Sequence, residues 1–156
     1  MLLALVLPAG VFAQTDTVSA TVTGSLLSVE VTDGVVAYGV LPLSGSQDTL
    51  VGNLDDLQTA TNNGTVPAKF NIMSSNAIGG TTDWTLAGTA GANVYTHAFS
   101  VNAGGAWTPL TSGYQELAAS VAVDGTQTFD LQIGMPVSTD DYAEHDITVT
   151  VQAVTP

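Results

Sequence analysis

Two histidines, His97 and His145, and fourteen carboxylates carry most of the acid–base and ligand chemistry this sequence offers, and cysteine is absent. A structural zinc site needs four ligands and a catalytic one usually three plus water, so two histidines without an HExxH pair make a poor zinc site. Asp140, Asp141, Glu144 and Asp146 lie together beside His145, and Asp55 and Asp56 form a second acidic pair. Calcium takes several oxygen ligands from flexible loops, which makes Asp140, Asp141, Glu144 and Asp146 the calcium candidates. Neither group matches the DxDxDG loop, and an acidic loop that keeps the chain soluble explains both equally simply. No other cofactor is expected.

Nucleophilic catalysis needs a serine or threonine, a positioned base and a third group that orients the base. GxSxG is missing, and Ser44-Gly45-Ser46 reads as a turn. Paired carboxylates for glycoside cleavage usually sit in clefts lined with aromatics, which make up only 6% here. We therefore expect no catalytic residue and no enzyme. Trp84, Tyr95, Phe99, Trp107 and Tyr114 are the candidates for a carbohydrate-stacking platform. Burial in the core is the stronger reading for them, because aromatics dominate burial energetics. Asn63-Gly64-Thr65 is a glycosylation sequon with Asn63 as acceptor.

The elements that would position these residues follow a period of two. Phe129, Leu131, Ile133 and Met135 alternate with Asp130, Gln132 and Gly134. Val66, Ala68, Phe70 and Ile72 do the same, as do Ile147, Val149 and Val151. Near the start Val18, Ala20 and Val22 alternate with Ser and Thr, followed by Leu27, Val29 and Val31. Such alternation predicts strands with one buried face. Asp33-Gly34 and Asp124-Gly125 are predicted hairpin turns, and Asn62-Asn63-Gly64, Gly79-Gly80 and Gly104-Gly105 are further turns. Trp84 and Leu86 suggest a short strand between loops, and only 54–57 and 114–120 have any helical pattern. The expectation is an all-β, two-sheet antiparallel sandwich of about eight strands, Ig-like or jelly-roll.

Length and composition bound the rest. The 156 residues suit one domain, and 45% hydrophobic residues supply a core. Only Lys69 is basic against fourteen acids, a net charge of −13. Nucleic acid and anionic membranes need clustered Lys and Arg, so neither is an expected partner. Leu2 to Leu7 form an apolar run too short to span a bilayer, which takes about 20 residues. Val11-Phe12-Ala13 before Gln14 fits a secretory cleavage site, although a basic n-region is missing. We expect residues 1–13 to be a signal, residues 14–156 to be one domain without a membrane span, and the protein to be secreted or at the cell surface.

The early Val-rich strand, Ala37-Tyr38-Gly39-Val40-Leu41-Pro42, Thr61-Asn62-Asn63-Gly64-Thr65-Val66-Pro67, Phe129-Asp130-Leu131 and the terminal Ile147-Thr148-Val149-Thr150-Val151 occur in that order. This layout, over residues 18 to 153, resembles bacterial and archaeal surface Ig-like domains. More loosely, it is similar to the β-sandwich subunits of biofilm-matrix fibres and archaeal bundling pili. The second resemblance implies donor-strand exchange, in which one subunit's N-terminal strand completes the next subunit's sheet. It implies no catalytic residue. A lone domain without sorting motif or anchor fits a secreted building block.

The functional expectation is thus a structural subunit of an extracellular filament or surface layer, a homo-polymer joined through residues 14–23. Val18, Ala20 and Val22 would be the side chains that seat in the neighbour. The alternative is a secreted binding or adhesion module for carbohydrate or protein, with or without calcium.

Overall fold

The structure is a computed structural model, described here for Gly10 and residues 14–156. Among the described residues ten strands form: β1 (Val29–Thr32), β2 (Ser46–Asp48), β3 (Gln58–Asn62), β4 (Ala68–Ser74), β5 (Thr85–Leu86), β6 (Val94–Ser100), β7 (Thr108–Pro109), β8 (Gln115–Val121), β9 (Thr126–Gly134) and β10 (Val149–Val154). They make two sheets packed as an all-β sandwich. The larger has the order β1-β3-β9-β6-β5, with β2 also on β9 and β7 on β6, and the smaller is β10-β4-β8. All pairings are antiparallel except the two-residue β5–β6 pair. Among the described residues, no helix is long and apolar enough to cross a membrane.

Alternation in the sequence becomes alternation in burial. In β4, Ala68, Phe70, Ile72 and Ser74 are buried while Lys69, Asn71 and Met73 are half-buried. Phe70 and Ile72 meet Phe129 and Leu131 of β9, Phe99 of β6 and Leu117 and Val121 of β8 in the main core. Burying a side chain of this size contributes about 1.5–3 kcal/mol. A second cluster, Ala77, Trp84, Tyr95 and Ile133, fills the far end.

Several expectations need correction. Ten strands stand against about eight expected: β5 is the short strand suggested by Trp84 and Leu86, whereas β2 and β7 are pairings of two or three residues too short to leave a periodic pattern. Residues 114–120, given a helical pattern, fall almost entirely in strand β8, since Leu117 and Val121 pack into the core and the segment pairs with β4. Asp124-Gly125 does not close a hairpin: β8 and β9 belong to different sheets. Asp124 adopts φ 58° and the turn carries the chain across the sandwich. Asp33 and Gly34 also have positive φ (72° and 65°), yet the chain after them leaves the sheet. The strand expected at 18–22 is absent, for residues 14–28 make no strand pairing. An extended segment needs a partner ladder to become a strand, and the described residues give it none.

Asn62 holds the corner where the two sheets are joined. Its Nδ2 donates to the carbonyls of Val66, Val121 and Ala122, and its Oδ1 accepts from the Gly64 amide. Its backbone pairs with Asp124 and Gly125. One buried amide therefore satisfies both turns at that end.

Candidate functional site

The long N-terminal segment is the first component. Residues 14–26 are exposed, with Val18 at 96% and Val22 at 97% of their full surface, and Ala20 is exposed between them. The segment is attached at Leu26, whose backbone exchanges hydrogen bonds with Thr65. Leu27 and Val29 then pack against the core. Val18, Ala20 and Val22 alternate with Ser19, Thr21 and Thr23, so in extended conformation they share one face.

The second component is a groove. A cavity of about 1030 Å³ opens between the inner face of β9 and strands β1 and β10. Phe129, Leu131, Ile133, Val31, Val149 and Val151 line it, and the lining is mainly apolar. It opens where the edges of the two sheets lie side by side: β1 pairs only with β3, and β10 only with β4. The outer edge of β10 thus presents backbone groups with no ladder partner among the described residues.

A strap of residues 34–43, without secondary structure, forms the remaining wall. Val36, Tyr38 and Leu41 tuck inward while Val35 and Val40 stay exposed. Tyr38 fastens it. The Tyr38 hydroxyl lies 3.0 Å from His97 Nε2, and His97 Nδ1 lies 2.9 Å from Ser74 Oγ. Neutral imidazole has one donor and one acceptor nitrogen, which this chain of groups satisfies in either tautomer. Burial pulls the His97 pKa down to about 4. Burial also raises the Tyr38 phenol well above its ordinary value, with Asp56, Tyr95 and Asp48 adding to the effect. Tyr95 is pushed up to about 12, again mainly by burial. His97 shares the inward face of β6 with Tyr95 and Phe99, so its core position was readable from the alternation; its bond to Tyr38, 59 positions away, was not.

The four acidic candidates are not assembled into a site. Asp141 is buried, and its carboxylate accepts from the amides of Ala143, Thr81 and Thr82 and from the Thr81 hydroxyl. Those bonds hold its pKa well below the usual carboxylate range, the Ala143 amide contributing most. Its oxygens thereby fasten two loops together. Asp140, Glu144 and Asp146 are exposed, and among the described residues no three His, Cys, Asp or Glu side chains converge as for a metal. His145 stacks on Trp84 with centroids 3.9 Å apart, and its ring nitrogens face the carbonyls of Ala143 and Thr82.

Trp84, Tyr95 and Phe99 are buried, Trp107 is half-buried and Tyr114 is exposed, so the five aromatics do not share an open face. Asn63 is exposed, with Nδ2 donating to Glu30. The expected signal, residues 1–13, lies outside the described residues apart from Gly10. No family model matches the chain, and neither a curated protein nor a solved structure does.

Proposed function

We propose that the protein is a structural subunit of an extracellular filament, polymerising when residues 14–23 of one copy enter the groove of the next. A single mismatch supports this reading: an alternating apolar segment stands off the sandwich while an apolar groove between the sheet edges goes unfilled. Each answers the other. The segment has Val18, Ala20 and Val22 on one face, and the groove has Val149, Val151, Phe129 and Leu131. A donated strand beside β10 would gain a backbone ladder there and bury its valines. The contact is heterologous, donor face on acceptor groove, so it repeats into an open filament instead of closing as a dimer.

The Tyr38 strap is part of the same device. It shields the groove in the free subunit, and the incoming strand has to share or displace it.

The test is a chain lacking residues 14–23, compared with the full chain by negative-stain electron microscopy. Filaments from the full chain and dispersed subunits from the truncated one are expected. Filaments from the truncated chain would overturn the proposal. A synthetic peptide of residues 14–28, added to the truncated chain, should change the emission of Trp84, which lines the groove.

A further inference from the structure

The outer face of β9 carries a second feature, separate from the groove on its inner face. Phe129 and Leu131 point into the sandwich, so Asp130 between them points out, yet it is only 4% exposed. The connection after β2 covers it. Thr49 Oγ1 donates to Asp130 Oδ1 at 3.1 Å and accepts from the Leu131 amide at 2.9 Å. Among the described residues the other carboxylate oxygen has no donor, and no Lys or His pairs with Asp130.

Asp130 lines a cavity of about 290 Å³ together with Thr49, Leu50, Val51, Leu57 and Ala103. The wall is firm on one side: a Cβ on Gly104 would collide with Leu50, so the 102–105 turn packs directly on that leucine. At the rim Val51 and Leu57 are well exposed. Asp48 at the end of β2 and Asp55 and Asp56 on the same connection add negative potential.

Asp130 is almost wholly covered, and its second carboxylate oxygen, which has no donor among the described residues, is left to a cation or to water from the cavity. The cavity in front of it is apolar and of side-chain size. An ammonium on an alkyl stem matches both properties, with the charge at the floor and methylenes along the leucines. The one basic side chain of this protein, Lys69, is engaged with Glu116 at 2.7 Å on the other sheet. The side-chain cation therefore comes from a different protein. Exposed Val51 and Leu57 around the mouth fit a protein surface better than a free amine, which would leave them in water.

We propose that this pit is a docking site for a lysine side chain of a partner protein, with the ammonium on Asp130 and the stem between Leu50 and Leu57. The test is titration of the isotopically labelled full-length chain carrying Val18→Ser and Val22→Ser, which is expected to stay dispersed, with n-butylammonium, acetyl-Gly-Lys-Gly-amide and calcium chloride, followed by amide NMR shifts. The two amines are expected to move Leu50, Leu57 and Ala103 saturably, with the peptide binding several-fold more tightly. Asp130→Asn should weaken both by about tenfold or more, the loss of a charge-assisted bond. Leu57→Ser, at an exposed position that folding does not depend on, should weaken them a few-fold. Amine shifts that survive both substitutions would overturn the proposal. So would a peptide no tighter than n-butylammonium, which would make the pit a free-amine site, or calcium moving these amides where the amines do not.

Discussion

At the Asn62 corner one buried side chain makes four hydrogen bonds, whereas along the β1–β10 side an apolar groove and a sheet edge have no partner among the described residues. The two regions lie in one sandwich and obey the same rules, so the contrast is informative. Buried polar groups at the corner are satisfied internally, which makes that end a source of stability. The opposite side leaves both apolar surface and backbone groups for something else to cover. On the proposed function, stability and assembly would fall to different edges of the fold.

The contrast breaks if substitutions at the two places have similar effects. The largest loss is expected for Asn62→Ala, which strands three carbonyls and an amide and should cost about 4 kcal/mol in denaturant unfolding. A cost under about 1 kcal/mol would show the corner to be dispensable.

Next comes His97, which joins the strap to the core. Its folded pKa of about 4 lies below the ordinary 6.5, so the unfolded chain binds the extra proton first. Stability from this group is complete above pH 6.5 and falls as pH drops toward 4, by about 3 kcal/mol in all. His97→Gln should be less stable at pH 7 and should lose this part of the slope. Urea midpoints of both proteins from pH 7 to pH 4 measure it, and parallel slopes would count against a neutral, buried imidazole.

Two glycines sharpen the comparison at a smaller scale. Gly80 has φ +60° and faces the Asp141 carboxylate so closely that a Cβ would collide with it. Gly80→Ala should therefore cost about 2 kcal/mol. Gly24 has nothing within 4 Å. Gly24→Ala should stay within about 0.5 kcal/mol in the same thermal melts.

The smallest stability change is expected where the assembly effect is greatest. Val18→Ser with Val22→Ser removes two side chains that touch no core, so subunit unfolding should shift by less than about 0.5 kcal/mol. Filament yield by electron microscopy should nevertheless collapse. A clear drop in subunit stability would mean that the segment packs on its own sandwich.

Much of the architecture was legible. The alternation of Ala68, Phe70 and Ile72, and of Phe129, Leu131 and Ile133, marks facing inner surfaces of two sheets because side chains alternate across any strand. Periodicity is silent on partners. It marked Val18, Ala20 and Val22 as strand-like without revealing that no strand among the described residues pairs with them. It read Asp124-Gly125 as a hairpin because a local turn signal does not say which sheet the next strand joins. The acidic residues at 140–146 looked alike in sequence, yet only Asp141 is enclosed by amides from a loop 60 positions earlier.

By itself, then, the sequence determined the all-β class, the inward faces of the strands and the single-sided charge, since these depend on local period and residue type. Only the tertiary structure decided that the N-terminal segment stands free, that a groove lies open beside β10, that Tyr38 closes on His97 and that Asp130 faces a pit. Each of those depends on which distant residues meet, and contacts between distant positions arise from packing the sheets together, a three-dimensional condition that no local pattern encodes.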